Sequence, residues 1–217
     1  MSASRRTWLR HLALGAGGVA AVSCAASNAK PATGEGAAPR GPRRSDRLPD
    51  LRVVDQDGIE WRSYSDLIAD KPVLCSFFYC NCDGSCPGTT AVLRRMRADL
   101  SPHVPDLRVL SFTLAPKEDD VNALARHASA LGVDREDGLA PWHFLTGAPV
   151  DLEALRLAFG YRDLDPYVDA DRKNHAALIT FGHDARDRWG AMPSGIEYYQ
   201  LRRSVVRAIA PEVGGLS

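Results

Sequence analysis

The chain has no excess of charge of either sign: 27 Lys and Arg balance 27 Asp and Glu over 217 residues. That balance excludes broad nucleic-acid binding, which needs a basic patch or stripe. Lys is scarce, with four residues, so nearly all the positive charge is Arg. No internal repeat recurs, which excludes solenoids and propellers. No apolar run makes a good membrane span, which needs roughly 20 residues. Cysteine is sparse and clustered: of five in all, four lie between Cys75 and Cys86. A disulfide framework would scatter them through the fold, so the cluster points to local chemistry. Acidic side chains are missing altogether from residues 1–29.

That acid-free stretch opens with Ser4-Arg5-Arg6-Thr7-Trp8-Leu9 and runs on through weakly apolar Leu12 to Ala26. Paired arginines followed by an aromatic residue and Leu resemble the twin-arginine export signal of bacteria. Ser27-Asn28-Ala29 supplies small residues for cleavage. Two alternatives stand beside this reading: lipidation at Cys24, although Ala21 occupies the place where Leu is usual, and an amphipathic first helix. The expectation is an export signal over 1–29, a Pro-, Gly- and Arg-rich tether over 30–47, and one folded domain over 48–217. The protein is then expected in the periplasm or on the outer face of the inner membrane, attached to it only if Cys24 is lipidated.

Periodicity predicts a mixed α/β domain. Leu51–Val54 and the residues after Asp57-Gly58 read as an N-terminal β-hairpin. A brief helix is expected at Ser65–Ala69. Pro72–Phe78 is almost unbroken apolar sequence, suited to a strand buried on both faces. Val92, Leu93, Met96 and Leu100 follow at helical spacing, then a strand over Leu107–Leu114. Val121, Leu124, Ala125, Ala128 and Leu131 mark a second helix. Trp142–Leu145 reads as a strand, and Leu152, Leu155 and Phe159 as a helix ended by Gly160. Ala176–Phe181 and Arg188–Ala191 form a closing hairpin, and Tyr198, Leu201, Val205 and Ile209 line a last helix. A central mixed sheet flanked by helices on both faces follows, compatible with a thioredoxin-like fold.

The chemistry concentrates in Phe77-Phe78-Tyr79-Cys80-Asn81-Cys82-Asp83-Gly84-Ser85-Cys86-Pro87. This stretch joins the end of a buried strand to the start of a helix, where ligands of α/β sheets usually sit. A helix N-terminus carries partial positive charge and stabilises a thiolate. Pro87 suits the first helical turn, where its missing N–H costs nothing. Cys82 and Cys86, separated by three residues, are able to close a disulfide or to chelate a soft metal such as Cu(I) or zinc. A structural staple is the plainer alternative in an exported protein.

These residues resemble the Sco/SenC family of exported, thioredoxin-like copper proteins. The likeness rests on C-x3-C-P at Cys82–Pro87, on Lys71-Pro72-Val73-Leu74 leading into the cysteine strand, and on Leu110-Ser111-Phe112. It rests also on Trp142-His143-Phe144-Leu145-Thr146-Gly147 and on Asn174-His175-Ala176 before a strand. The resemblance implies that Cys82, Cys86 and His175 bind one copper ion, as Cu(I), Cu(II) or both. It implies a partner that is the copper-site subunit of cytochrome c oxidase, or another exported copper or thiol protein. The chain departs from the family in carrying Cys80 where a small residue without a thiol is usual. It departs again in having Thr113-Leu114-Ala115-Pro116 in place of an Asp-Pro turn.

Two functions of different class are therefore expected. One is a copper metallochaperone. The other is an exported thiol–disulfide oxidoreductase that uses Cys82 and Cys86 as a redox pair without metal. A peroxidase of the peroxiredoxin kind needs a Thr-x-x-Cys setting that Tyr79–Cys82 lacks. Cys80 is open between a third sulfur ligand, a resolving thiol and a spectator, and Cys75 reads as a buried hydrophobe. His103, His127, His143 and His183 read as solvated or structural residues of loops and helix faces. Arg94, Arg95 and Arg97 read as the wet face of the helix after the cysteines.

Overall fold

The computed structural model describes residues 42–82, 84, 86–133, 138–171 and 177–213. The expected export signal, Cys24, most of the tether and His175 lie outside the described residues. The elements run β1 (Arg52–Asp55), β2 (Glu60–Arg62), β3 (Pro72–Phe78), α1 (Cys86–Leu100), β4 (Arg108–Thr113), α2 (Val121–Ala130), β5 (Trp142–Gly147), α3 (Pro149–Ala158), α4 (Pro166–Ala170), β6 (Leu178–His183), β7 (Arg188–Pro193) and α5 (Tyr198–Ile209).

The seven strands form one mixed sheet in the order β2-β1-β5-β4-β3-β6-β7. β3 is parallel to β4 and β4 to β5, while the β1–β2, β1–β5, β3–β6 and β6–β7 pairs are antiparallel. All seven residues of β3 are buried, as its almost unbroken apolar sequence requires; the exception, Ser76, is hydrogen-bonded to Ser111 at 2.9 Å. Alternation divides them between two cores. Leu74 and Phe78 join Leu93 and Met96 of α1, Leu124 of α2 and Val205 of α5. Val73, Cys75 and Phe77 join Leu152 and Leu155 of α3 on the opposite face. Burying one such Leu or Phe contributes about 1.5–3 kcal/mol, so the two layers hold β3 from both sides and fix where its C-terminal end emerges. At the β6–β7 edge, a methyl group on Gly182 would stand 2.4 Å from the Trp189 ring, so this cross-strand pair admits only glycine there.

The structure differs from the sequence-based expectation in several places. Residues 63–70 form successive turns in place of a helix at Ser65–Ala69. The Asp50 carboxylate takes the N–H groups of Tyr64 and Ser65, but the Tyr64 carbonyl accepts from both Ile68 and Ala69, and Asp70 sits at φ 59°, so the stretch closes as turns and not as a regular helix. Arg44–Arg47 forms a 3-10 turn with Ser45 buried, and Arg43 pairs with the buried Asp184. Residues 43–47 thus belong to the folded body rather than to the tether; a single turn held by polar contacts carries no apolar period to read. α4 went unpredicted because none of its residues is buried. It is held instead by buried Arg156, bidentate to Asp169 at 2.8 Å. Arg97 is 2% exposed and donates to the Ala140 carbonyl at 2.5 Å, so it is not part of the wet face of α1.

Candidate metal centre

β3 ends at Phe78, and the chain turns through Cys80 and Asn81 to reach the N-terminus of α1 at Cys86. This brings Cys82 and Cys86 together at the end of the sheet. Cys82 is half-buried, and burial by itself raises its pKa. Hydrogen bonds from the Cys86 thiol, the Tyr79 side chain and the N–H groups of Cys86 and Gly84 outweigh that burial and hold Cys82 below the ordinary thiol value. Cys86 is 5% exposed. Burial and its hydrogen bond to Cys82 push it up to about 12. The pair thus divides its roles: Cys82 is the thiol that ionises more readily, and Cys86 the one that donates to it.

The other sulfurs are differently placed. Cys80 is half-buried and turned to Asp119, which accepts its backbone N–H at 3.1 Å and its thiol. Burial and the Asp119 charge push the Cys80 thiol up to about 12. Asp119 is itself buried and also accepts from Thr113 Oγ1 at 2.5 Å. Cys75 is fully buried in β3, where burial raises its thiol pKa; it packs as the small hydrophobe expected from the sequence. Among the described residues, no three or more His, Cys, Asp or Glu side chains form a group able to hold a metal ion. Two sulfur donors therefore come together, and Cys80 engages a carboxylate.

A pair of hydrogen-bonded thiols, one of them readily ionised, fits a soft, low-coordinate ion. Cu(I) prefers sulfur, and a metal displaces the thiol proton on binding. A cavity of about 240 Å³ opens beside the pair, lined among others by Tyr79, Cys80, Arg94 and His127.

His127 is the residue of this region whose place the sequence reading missed. It lies three residues after Leu124 and four before Leu131, on the apolar stripe of α2, so the signal was present. Its ring packs at 5.2 Å from both Phe78 and Phe144, and burial lowers its pKa. His143, read as a loop or helix-face residue, lies instead on β5 and is 4% exposed. Its Nδ1 stands 3.3 Å from Asp55, which also accepts from Trp61. It is a structural residue of the sheet.

At neutral pH iodoacetamide is expected to label Cys82 well before Cys80 and Cys86, because the thiolate is the nucleophile. As pH rises, the Cys82 labelling rate is expected to reach its plateau at lower pH than that of an ordinary thiol. Tyr79→Phe removes one donor and should move that plateau to higher pH. Peptide mass spectrometry after timed quenching reads all three thiols.

The mixed sheet, its flanking helices and the thiol pair at the start of α1 define a thioredoxin-like domain with a sulfur site at its functional end. The SCO1/SenC family model matches residues 43–186, and the chain belongs to this family. Among solved structures it is similar to a SCO1/SenC family lipoprotein from Bacillus anthracis (17% identity, TM-score 0.57, 74% of this chain and 94% of that one). It is similar to BsSco, described as a member of the Sco family of cytochrome c oxidase assembly proteins (21%, 0.57, 72% and 90%). A third is yeast Sco1 with copper bound (20%, 0.53, 76% and 94%). No curated protein matches the chain.

Proposed function

We propose that the chain is a copper metallochaperone that binds one ion through Cys82, Cys86 and His175 and delivers it to a copper centre of cytochrome c oxidase. The observation that carries this reading is the Cys82–Cys86 pair, hydrogen-bonded to each other at the N-terminus of α1. Membership of the SCO1/SenC family supports it, as do the copper bound by yeast Sco1 and the assembly role described for BsSco. Two sulfurs hold Cu(I) by softness. His175 completes the set as a neutral imidazole, a ligand that a partner's thiols can displace. A Cys82–Cys86 disulfide binds no copper, so oxidation gates loading.

The test is metal analysis of the reduced protein after copper exposure. One copper per chain is expected, with two sulfurs and one nitrogen in X-ray absorption. Tetrahedral zinc with three sulfurs would overturn the reading.

The division of roles between Cys82 and Cys86 favours a second reading, exported thiol–disulfide oxidoreductase. The Cys82 thiolate attacks a substrate disulfide and expels one substrate sulfur as a thiolate. Cys86 then loses its proton and attacks Cys82 Sγ, which releases the second substrate thiol and leaves the Cys82–Cys86 disulfide.

Export is part of either reading. Arg5-Arg6 and the weak apolar run after it support transport of the folded protein across the bacterial inner membrane. Changing both arginines to Lys is expected to trap the precursor in the cytoplasm, read by fractionation. Unchanged export would remove the argument for an oxidising compartment.

A further inference from the structure

The outer side of α5 carries positive charge that the neutral sum of the chain conceals. The helix contains Arg202, Arg203 and Arg207 and no acidic residue. Its apolar residues, Leu201, Val205, Val206 and Ile209, are all buried in the core. Tyr199, Arg203 and Arg207 recur at four-residue spacing, so they line one exposed stripe. α1 lies alongside, with the guanidinium of exposed Arg95 at 3.6 Å from the centre of the Tyr198 ring. The carboxylate between the two helices is already taken: Asp99 accepts from the Tyr198 hydroxyl at 2.5 Å and stands 3.9 Å from Arg202. Glu197 precedes the first turn of α5, two turns away from Arg207 or more. Arg95, Arg203 and Arg207 have no carboxylate partner among the described residues. Folding thus gathers unneutralised guanidinium groups from two helices on one side.

We infer that this face of α5 and α1 rests reversibly on an anionic phospholipid surface. Guanidinium groups pair with phosphate oxygens two at a time, which a lysine ammonium does not. Tyr199, exposed on the same stripe, has the amphipathic ring that settles at headgroup level. The exterior of a helix is convex, so it meets a plane more readily than it grips an extended peptide, which takes a groove or an open sheet edge. Because the apolar side of α5 is spent on the core, nothing is left to insert into the acyl layer. The contact is therefore electrostatic and weakens with salt. Export, as proposed from Arg5-Arg6, puts the folded domain beside a bilayer, and this favours lipid over an acidic protein. The contact needs neither copper nor a lipid on Cys24.

The test is vesicle flotation of the purified full-length protein. Vesicles of phosphatidylcholine alone, and of phosphatidylcholine and phosphatidylglycerol in equal parts, separate charge-dependent binding from any contribution of residues 1–29. One arginine near an anionic surface is worth roughly fivefold in partitioning. Arg203→Gln combined with Arg207→Gln should therefore lower partitioning onto the mixed vesicles about 25-fold and leave partitioning onto phosphatidylcholine unchanged. Arg47→Gln combined with Arg162→Gln removes the same charge from exposed positions outside both helices, and should cost no more than about twofold once the charges are screened. Added salt should shrink the difference between the two pairs. Alkylation of Cys82 at the parent rate shows that each variant is folded. Equal losses in the two pairs, or equal partitioning of the parent protein onto both kinds of vesicle, would overturn the assignment. Binding of polyglutamate that depends on Arg203 and Arg207, with no binding to the mixed vesicles, would also overturn it and make an acidic protein the partner of this face. The measurement uses purified protein, so it reads the face whether or not the export and copper readings hold.

Discussion

Cys82→Ser is expected to abolish tight copper binding. Losing a residue that merely supports a ligand costs about 10–100-fold in metal affinity, and losing the thiolate itself should cost more. A hydroxyl is a hard, protonated and poor donor to Cu(I). Cys86→Ser should lose copper to a similar degree for the same reason, yet the two variants should differ in their remaining thiol. In Cys86→Ser the serine hydroxyl can still donate to Cys82, and the Tyr79 and backbone donors are untouched. Cys82 should therefore keep its reactivity toward iodoacetamide while binding little copper. In Cys82→Ser the remaining Cys86 is buried at the helix N-terminus and should label slowly at neutral pH. Competition with a Cu(I) chelator and timed alkylation, run on the same samples, separate the two. Copper binding undiminished in either variant would remove the proposed site.

The second large effect is expected at His175. Disulfide exchange needs an attacking thiolate, a leaving sulfur and access, and none of these calls for an imidazole. Copper transfer calls for a third ligand that holds the ion and then lets it go. His175→Ala should weaken copper binding strongly and leave the Cys82–Cys86 reduction potential largely unchanged. The stability of the Cys82 thiolate comes from Cys86, Tyr79 and Gly84, all within the cysteine loop and its flanks. Copper affinity by competition and reduction potential by glutathione titration are measured on one variant. If copper binding survives and reductase activity collapses, His175 serves thiol chemistry and the oxidoreductase reading replaces the metallochaperone.

Most of the framework was legible because it is periodic. Pro72–Phe78 matches β3 residue for residue, since a strand buried on both faces is almost wholly apolar and its one hydroxyl, Ser76, is paired with Ser111. Val121 to Leu131 marked α2, and Tyr198 to Ile209 marked α5, because each buries one stripe against the sheet. β1 and β2 pair as the expected hairpin around Gly58 at φ 74°. Elements held by polar contacts were not legible. α4 hangs on the ion pair from Arg156, and the turn at Arg44–Arg47 on contacts 141 and 143 residues away in the chain. No local pattern encodes such partners. Arg97 and His127 fall between, since both lie on apolar stripes, but a charged or polar side chain there reads as surface until its buried partners are seen.

The sequence by itself determined the α/β class, the strand-to-helix placement of the cysteines and the likeness to the family, because spacing and periodicity are local properties. Only the tertiary structure decided the roles of the individual thiols. Cys80, Cys82 and Cys86 are chemically identical in the sequence. They differ once folding sets Asp119, from the connection between β4 and α2, against Cys80, buries Cys86 in the start of α1, and leaves Cys82 half-exposed with four donors around it. Burial and charge raise the first two thiols, and hydrogen bonds lower the third. Those fields come from neighbours that the chain brings together only when it folds.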